Sequence, residues 1–301
     1  MRSCPDSPHG RARPAACALA AIVAVLACGC AHELALPPGL TDRIMEGEPF
    51  QHRVFTRSHP SAGELHVYIE GDGRAWLDRT RISRDPTPKR PLMLELMALD
   101  TAASVYVGRP CYFGLAKSPG CDRSQWTSHR YSSQVVTSLQ RVIEALVAEG
   151  AYDRIVLFGH SGGGTLATLL ASRVRQTAAL VTIAPNLDVA AWAESHGYSP
   201  LTGSLDPAAS KDFPTHIFQV HWIGSDDESV APSVLSSLEP YLDGELRRVD
   251  GFDHRCCWSE LWPDQLDELN VYFRAARDPA WRSVALGEAK PLPDGFEENL
   301  R

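Results

Sequence analysis

Between Phe50 and Arg274 the chain alternates short apolar runs with longer stretches whose apolar residues recur every three or four positions. An apolar run of strand length fits a strand buried on both faces, and the three-to-four spacing fits a helix with one buried side. The strand pattern falls on residues 50–56 (FQHRVFT), 65–70 (LHVYIE), 104–110 (SVYVGRP), 154–158 (RIVLF), 178–185 (AALVTIAP), 215–224 (THIFQVHWIG) and 245–249 (ELRRV). The helix pattern falls on 91–99, 132–149, 162–174, 233–242 and 261–274. It is sharpest over 132–149, where Val135, Val136, Leu139, Val142, Ile143, Leu146 and Val147 share a face before Gly150 ends the run. Such alternation predicts an α/β fold, a mostly parallel central sheet flanked by helices. Residues 186–213, rich in Pro, Gly and Ser around an apolar VAAW, exceed a simple connection and are expected to form a short cap.

One junction carries chemistry. Gly159-His160-Ser161-Gly162-Gly163 is a G-x-S-x-G sequence set between a strand pattern and a helix pattern. In that context the glycines permit a tight turn, the serine hydroxyl stands exposed, and the following N–H can face an oxyanion. A serine nucleophile needs a base, and the base needs an orienting carboxylate. With Ser161 at the end of a fifth strand, the acid is expected two strands later and the histidine after the last strand. The loop HWIGSDDESVAP supplies Asp227, preferred over Asp226 by its G-x-x-D-x-x-V frame, and VDGFDHRCCW supplies His254. Backbone N–H groups of Gly162 and of Gly71 or Asp72, in the EGDGR turn, are the expected oxyanion donors. An ion pair of Asp72 with Arg74 that shapes this loop is an equal expectation. His160 is read as lining the elbow, and Trp126, Tyr131, Trp192 and Tyr198 as candidate walls of a substrate pocket.

Taken together these residues resemble the α/β-hydrolase superfamily over about Phe50 to Arg274. YIEGDGRAW, DPTP, RPC, WTSHRYS and FDHRCCW resemble, more narrowly, a group of exported bacterial serine hydrolases of unassigned substrate. The resemblance implies the α/β-hydrolase fold, with the cap after the sixth strand, and a triad of Ser161, Asp227 and His254. The substrate does not follow from the resemblance; the candidate aromatic walls and the lack of a leaving-group specificity device lead to the expectation of an acyl ester, small or lipid-like. A serine peptidase or thioesterase with the same triad, or a binding protein on the same fold, are the alternatives. This chemistry requires no cofactor.

The rest of the composition narrows the setting. At 301 residues, 44% hydrophobic, 22% charged and a net charge of −8, the chain suits one large domain and offers nucleic acid little attraction. Arg2, Arg11 and Arg13 precede a short apolar run from Ala15 to Ala27, the pattern of a secretory signal over 1–30. Its end, VLACGCA, resembles a lipoprotein processing site with Cys28, or alternatively Cys30, as the lipidated residue. Localisation in the periplasm or at the outer membrane, through a lipid anchor, is therefore expected. A linker over 31–48, a domain over 49–278 and a tail over 279–301 complete this organisation. Export permits disulfides, and a Cys111–Cys121 bridge would contribute about 2 to 3 kcal/mol on the loop-entropy model. Cys256 and Cys257 could pair with each other, bond elsewhere or stay reduced. No C-x-x-C pair points to zinc.

Overall fold

The computed structural model describes residues 39–57, 63–211, 213–215, 217–235 and 238–277. The proposed signal with Cys28 and Cys30, the linker up to residue 38, and the tail over 279–301 lie outside the described residues. Eight strands form one sheet: β1 (Thr41–Glu46), β2 (Gln51–Arg57), β3 (Glu64–Ile69), β4 (Ser104–Val107), β5 (Arg154–His160), β6 (Thr177–Ile183), β7 (Phe218–Gly224) and β8 (Glu245–Val249). Their order is β1-β2-β4-β3-β5-β6-β7-β8, with β1 and β2 antiparallel and β3 to β8 parallel. β5, apolar and buried along nearly its whole length, is central, as a continuous apolar run requires.

Strand periodicity sorts the two faces. From β3 and β5, Leu65, Val67, Ile69, Ile155 and Leu157 point into the core beneath α2 (Ser133–Gly150) and α3 (Gly162–Ala171). Tyr68 and Phe158 point the other way and stack at 4.6 Å, with Trp262 of α7 (Trp262–Arg277) edge-on to Phe158 at 5.0 Å. On that second side α1 (Leu92–Met97) buries Leu92, Met93, Leu94, Leu96 and Met97. α2 starts at Ser132, whose hydroxyl accepts the Val135 N–H, and ends at Ala151 in the left-handed conformation.

Three elements depart from the sequence pattern. β1 lies inside the expected linker; it is polar and mostly exposed, held by its antiparallel ladder to β2 rather than by burial, so hydrophobic patterning cannot reveal it. Of the expected helix over 233–242 the described residues carry a short α6 (Pro232–Leu235) and a 3-10 turn at Glu239–Tyr241. Residues 186–213 carry two short helices, α4 (Val189–Ser195) and α5 (Pro207–Ser210). Asp188 and Asp206 cap them.

Candidate active site

Ser161 stands between β5 and α3 with φ 53° and ψ −123°, a positive φ that a side chain adopts only under strain. The turn is held by the Ser161 N–H donating to the Ile183 carbonyl at 2.9 Å and by the Gly164 N–H donating to the Ser161 carbonyl at 2.9 Å. Its glycines are steric necessities. A Cβ on Gly159 would strike the Gly163 carbonyl, and one on Gly163 would strike the Ile69 carbonyl of β3. The strand-to-helix junction therefore closes only with glycine at both positions, leaving the serine at the C-terminal edge of the sheet.

The loops after β7 and β8 bring Asp227 and His254 together at that edge. Nδ1 of His254 lies 2.8 Å from Oδ2 of Asp227, while Oδ1 of Asp227 accepts the N–H groups of Ser229 and Val230, each at 2.8 Å. With both oxygens engaged, the carboxylate is buried and fixed. Asp226 is exposed and its carboxylate accepts from the neighbouring Ser225 hydroxyl, whereas Asp227 is the acid that lies against the histidine. Since Nδ1–H donates to the carboxylate, Nε2 of His254 carries the lone pair. Burial lowers the pKa of His254; the bond to Asp227 opposes the shift, and the neighbouring His160 adds to it.

On the other side of Ser161 runs the turn after β3. A Cβ built on Gly71 would come within 3.2 Å of Cβ of Ser161, a contact tighter than ordinary packing, so glycine eases the close approach of this backbone. The Gly71 N–H, expected alongside Asp72 as an oxyanion donor, donates in this structure to Oε1 of Glu70 at 3.1 Å. Asp72 is not paired with Arg74. Its carboxylate is held by Arg109, by Nη1 of Arg130 at 2.7 Å and by the Tyr131 hydroxyl at 2.7 Å, while Tyr112 donates to its carbonyl at 2.9 Å. Burial disfavours the Asp72 charge, but Arg130 and Arg109 outweigh it and hold the carboxyl well below its ordinary range.

These contacts reassign two expected pocket residues. Tyr131 is fully buried, its hydroxyl spent on Asp72, and Trp126 is 2% exposed; neither lines the cleft.

His160 and Glu70 form an arrangement that the sequence pattern did not single out. Ile69 of β3 pairs with Gly159 of β5, so the next residues, Glu70 and His160, come side by side on the same face. Both are buried. Nδ1 of His160 lies 3.4 Å from Oε1 of Glu70, and its Nε2–H donates to the backbone carbonyl of His254 at 2.8 Å. Glu70 also accepts the N–H of Met93 at the start of α1. The period-2 alternation of LHVYIE and RIVLFGH carried the signal, and it becomes readable only once the pairing register is known.

Ser161, His254 and the edge of the Asp72 turn open into one cleft of about 1190 Å³. The segment over 186–213 supplies a wall of it: Trp192, His196 and Tyr198 line the cleft, with His196 stacked on Tyr198 at 5.1 Å. Trp192 is oriented by its indole N–H, which donates to the Ser229 carbonyl at 2.7 Å. Cys111 is bonded to Cys121, and Cys256 to Cys257 in the loop carrying His254. Among the described residues no group of side chains could hold a metal ion, and no helix is long and apolar enough to cross a membrane.

Known structures share this arrangement of strands. A protein of unknown function from Agrobacterium tumefaciens, described as an α/β hydrolase, superposes with a TM-score of 0.52 at 11% identity, covering 78% of this chain and 97% of that one. The chain has the α/β-hydrolase fold. Within that fold a membrane phospholipase A matches with a TM-score of 0.53 at 13% identity, over 80% of this chain and 87% of that one. The acylaminoacyl peptidase of Pyrococcus horikoshii matches with a TM-score of 0.52 at 12% identity, over 79% of this chain and 41% of that longer one. Residues 114–236, from the loop after β4 through Ser161 and Asp227, match the family model described as serine aminopeptidase, S33. This match supports a serine hydrolase. No curated protein sequence matches the chain significantly.

Proposed function

We propose that this α/β hydrolase cleaves an acyl ester by a Ser-His-Asp mechanism with Ser161 as nucleophile. The observation that carries the reading is His254, held by the buried Asp227 carboxylate and lining the same cleft as a strained serine. His254, its lone pair on Nε2, takes the Ser161 proton as the oxygen attacks the acyl carbon, and returns it to the leaving alkoxide. Asp227 holds the tautomer and stabilises the imidazolium. Water, deprotonated by the same histidine, then releases the acyl group from the serine. The N–H groups of Gly162 and Asp72 are the proposed oxyanion donors, each able to lower the barrier by about 3 to 4 kcal/mol.

The family match favours amide substrates as a second reading. An aminopeptidase must bind a substrate ammonium, which calls for an available carboxylate. In this cleft Asp72 is neutralised by two arginines and Asp78 is paired with Arg81. The ester reading therefore stands first. Export and lipid anchoring at Cys28 or Cys30 are part of the proposal and rest on the N-terminal sequence alone.

The test compares kcat/KM for p-nitrophenyl butyrate with that for an aminoacyl p-nitroanilide, in the wild type and in Ser161→Ala. Ester turnover that falls by about 10³-fold or more in the variant supports the proposal. Faster turnover of the anilide would move the enzyme to the peptidases. Turnover of neither substrate would leave a binding protein on a hydrolase fold.

A further inference from the structure

The charge around the cleft runs against that of the chain. Although the chain carries −8 overall, the segment from Arg74 to Arg90 holds six basic residues and only two acidic ones, Asp78 and Asp85. It folds over the mouth of the cleft as a small bridge, Trp76 to Ile82, after the Asp72 turn. Arg74, Arg79, Lys89 and Arg90 of this segment line the cleft, and Arg255 joins them from the His254 loop. All five are exposed. Nη2 of Arg255 donates to the Arg90 carbonyl at 2.6 Å, so the two segments are tied where their cations meet.

The acids of the same wall do not offset them. Asp72 is taken by Arg109 and Arg130, Asp78 by Arg81, and Glu70 by the N–H groups of Gly71 and Met93 and by His160. Arg81, the one arginine of the segment with an acidic partner, does not line the cleft. Among the described residues none of the five lining cations is ion-paired to a carboxylate. Partly walled clefts with one sign of charge focus their field and concentrate ligands of the opposite sign. Arginines, moreover, recognise carboxylate and phosphate oxygens through paired N–H donors.

We propose that the substrate is an anionic ester, with a carboxylate or phosphate group held by Arg74, Arg79, Lys89, Arg90 and Arg255 while its acyl carbon lies at Ser161. The inference rests on the serine-hydrolase reading and adds the substrate class to it. Trp192 and Tyr198, on the cap wall, take the apolar part of such a molecule, so the fitting substrate is amphipathic.

The test uses a matched pair of esters, mono-p-nitrophenyl glutarate and p-nitrophenyl valerate, which differ by a carboxylate at the chain end. With exposed ion pairs each contributing modestly, several acting together should favour the anionic ester in kcat/KM by about tenfold at low salt. That ratio should fall toward unity at high salt and in the triple variant Arg74→Gln/Lys89→Gln/Arg90→Gln. It should survive in Arg74→Lys/Arg90→Lys. Inorganic phosphate and glutarate as competitive inhibitors show which anion the rim prefers, and inhibition by either in the low millimolar range, lost in the triple variant, supports the proposal. A ratio at or below one, indifferent to salt and variant, overturns it.

Failure of the serine reading is seen separately. Calorimetry of Ser161→Ala with the glutarate ester reads the rim without turnover. Salt-sensitive binding there, in a protein whose wild type hydrolyses no ester, would keep the anion site and discard the chemistry; absence of both would discard the two together.

Discussion

In the proposed mechanism Ser161, His254 and Asp227 divide one proton transfer among them, and each should fail in its own way. Asp227→Asn removes the acceptor for Nδ1–H but keeps the Ser229 and Val230 bonds open to the amide oxygen. The variant is expected to stay folded while kcat falls by about 10³- to 10⁴-fold, measured with any ester the wild type turns over. Acid–base behaviour follows from the environment of His254. Its folded pKa lies below the ordinary 6.5 because of burial first, against the pull of Asp227. The base must be neutral to act, so kcat/KM is expected to rise with pH through a midpoint below 6.5, and a midpoint above it would contradict the assignment. Glu70 and His160 act on the same histidine through its backbone carbonyl. His160→Phe should move the midpoint and lower kcat more than it raises KM, whereas a purely structural role would show only as lost stability. These residues differ in how readable they were. Ser161, Asp227 and His254 could be named as candidates from the sequence because each sits in a turn or loop whose place is given by strand order, and the structure brings Asp227 to His254. Glu70, Arg109 and Arg130 were not, because their partners are 90, 37 and 58 positions away and meet only through the sheet.

At the scale of elements, two turns carry the site, and both are braced from outside. The Asp72 turn is pinned by Arg109, just after β4 in RPC, and by Arg130, just before α2 in WTSHRYS. Asp72→Asn would leave two buried guanidinium groups without a counter-charge and is expected to cost about 3 to 5 kcal/mol in urea unfolding. A loss under about 1 kcal/mol would mean that water reaches the pair. α2 itself is anchored by its cap, so Ser132→Ala should destabilise by about 1 kcal/mol without touching the cleft. The helices and strands that bury a regular face, such as α2 and β5, were plain in the hydrophobic pattern. β1 was not, since a polar edge strand is defined by its ladder, which leaves no apolar period.

For the whole molecule, charge placement separates stability from function along the sheet. At the N-terminal end of β3, away from the cleft, His66 is buried between Asp100 and Glu64. Burial opposes its charge, yet the hydrogen bonds to Asp100 and Glu64 prevail and raise its pKa to about 9. A folded pKa above the unfolded value means that this contribution is fully present below pH 6.5 and is lost as pH rises through about 9. The urea midpoint should therefore decline over that window, and His66→Gln should flatten the decline. Asp72 has the opposite sign, with its contribution lost only as strong acid protonates it. Neither effect was visible in the net charge of −8; the basic run from Arg74 to Arg90 can be read in the sequence, but its place along a cleft, beside an interior whose charges are paired, exists only in three dimensions.

The account stands on Ser161 being a serine activated by His254. Its most direct test is covalent labelling of the folded, oxidised protein by a fluorophosphonate, read by intact mass and by mapping the modified peptide. A single adduct on Ser161, formed faster as pH rises through the His254 midpoint and absent in Ser161→Ala and His254→Ala, is the expected result. An unlabelled wild type, or an adduct that persists without His254, would contradict it.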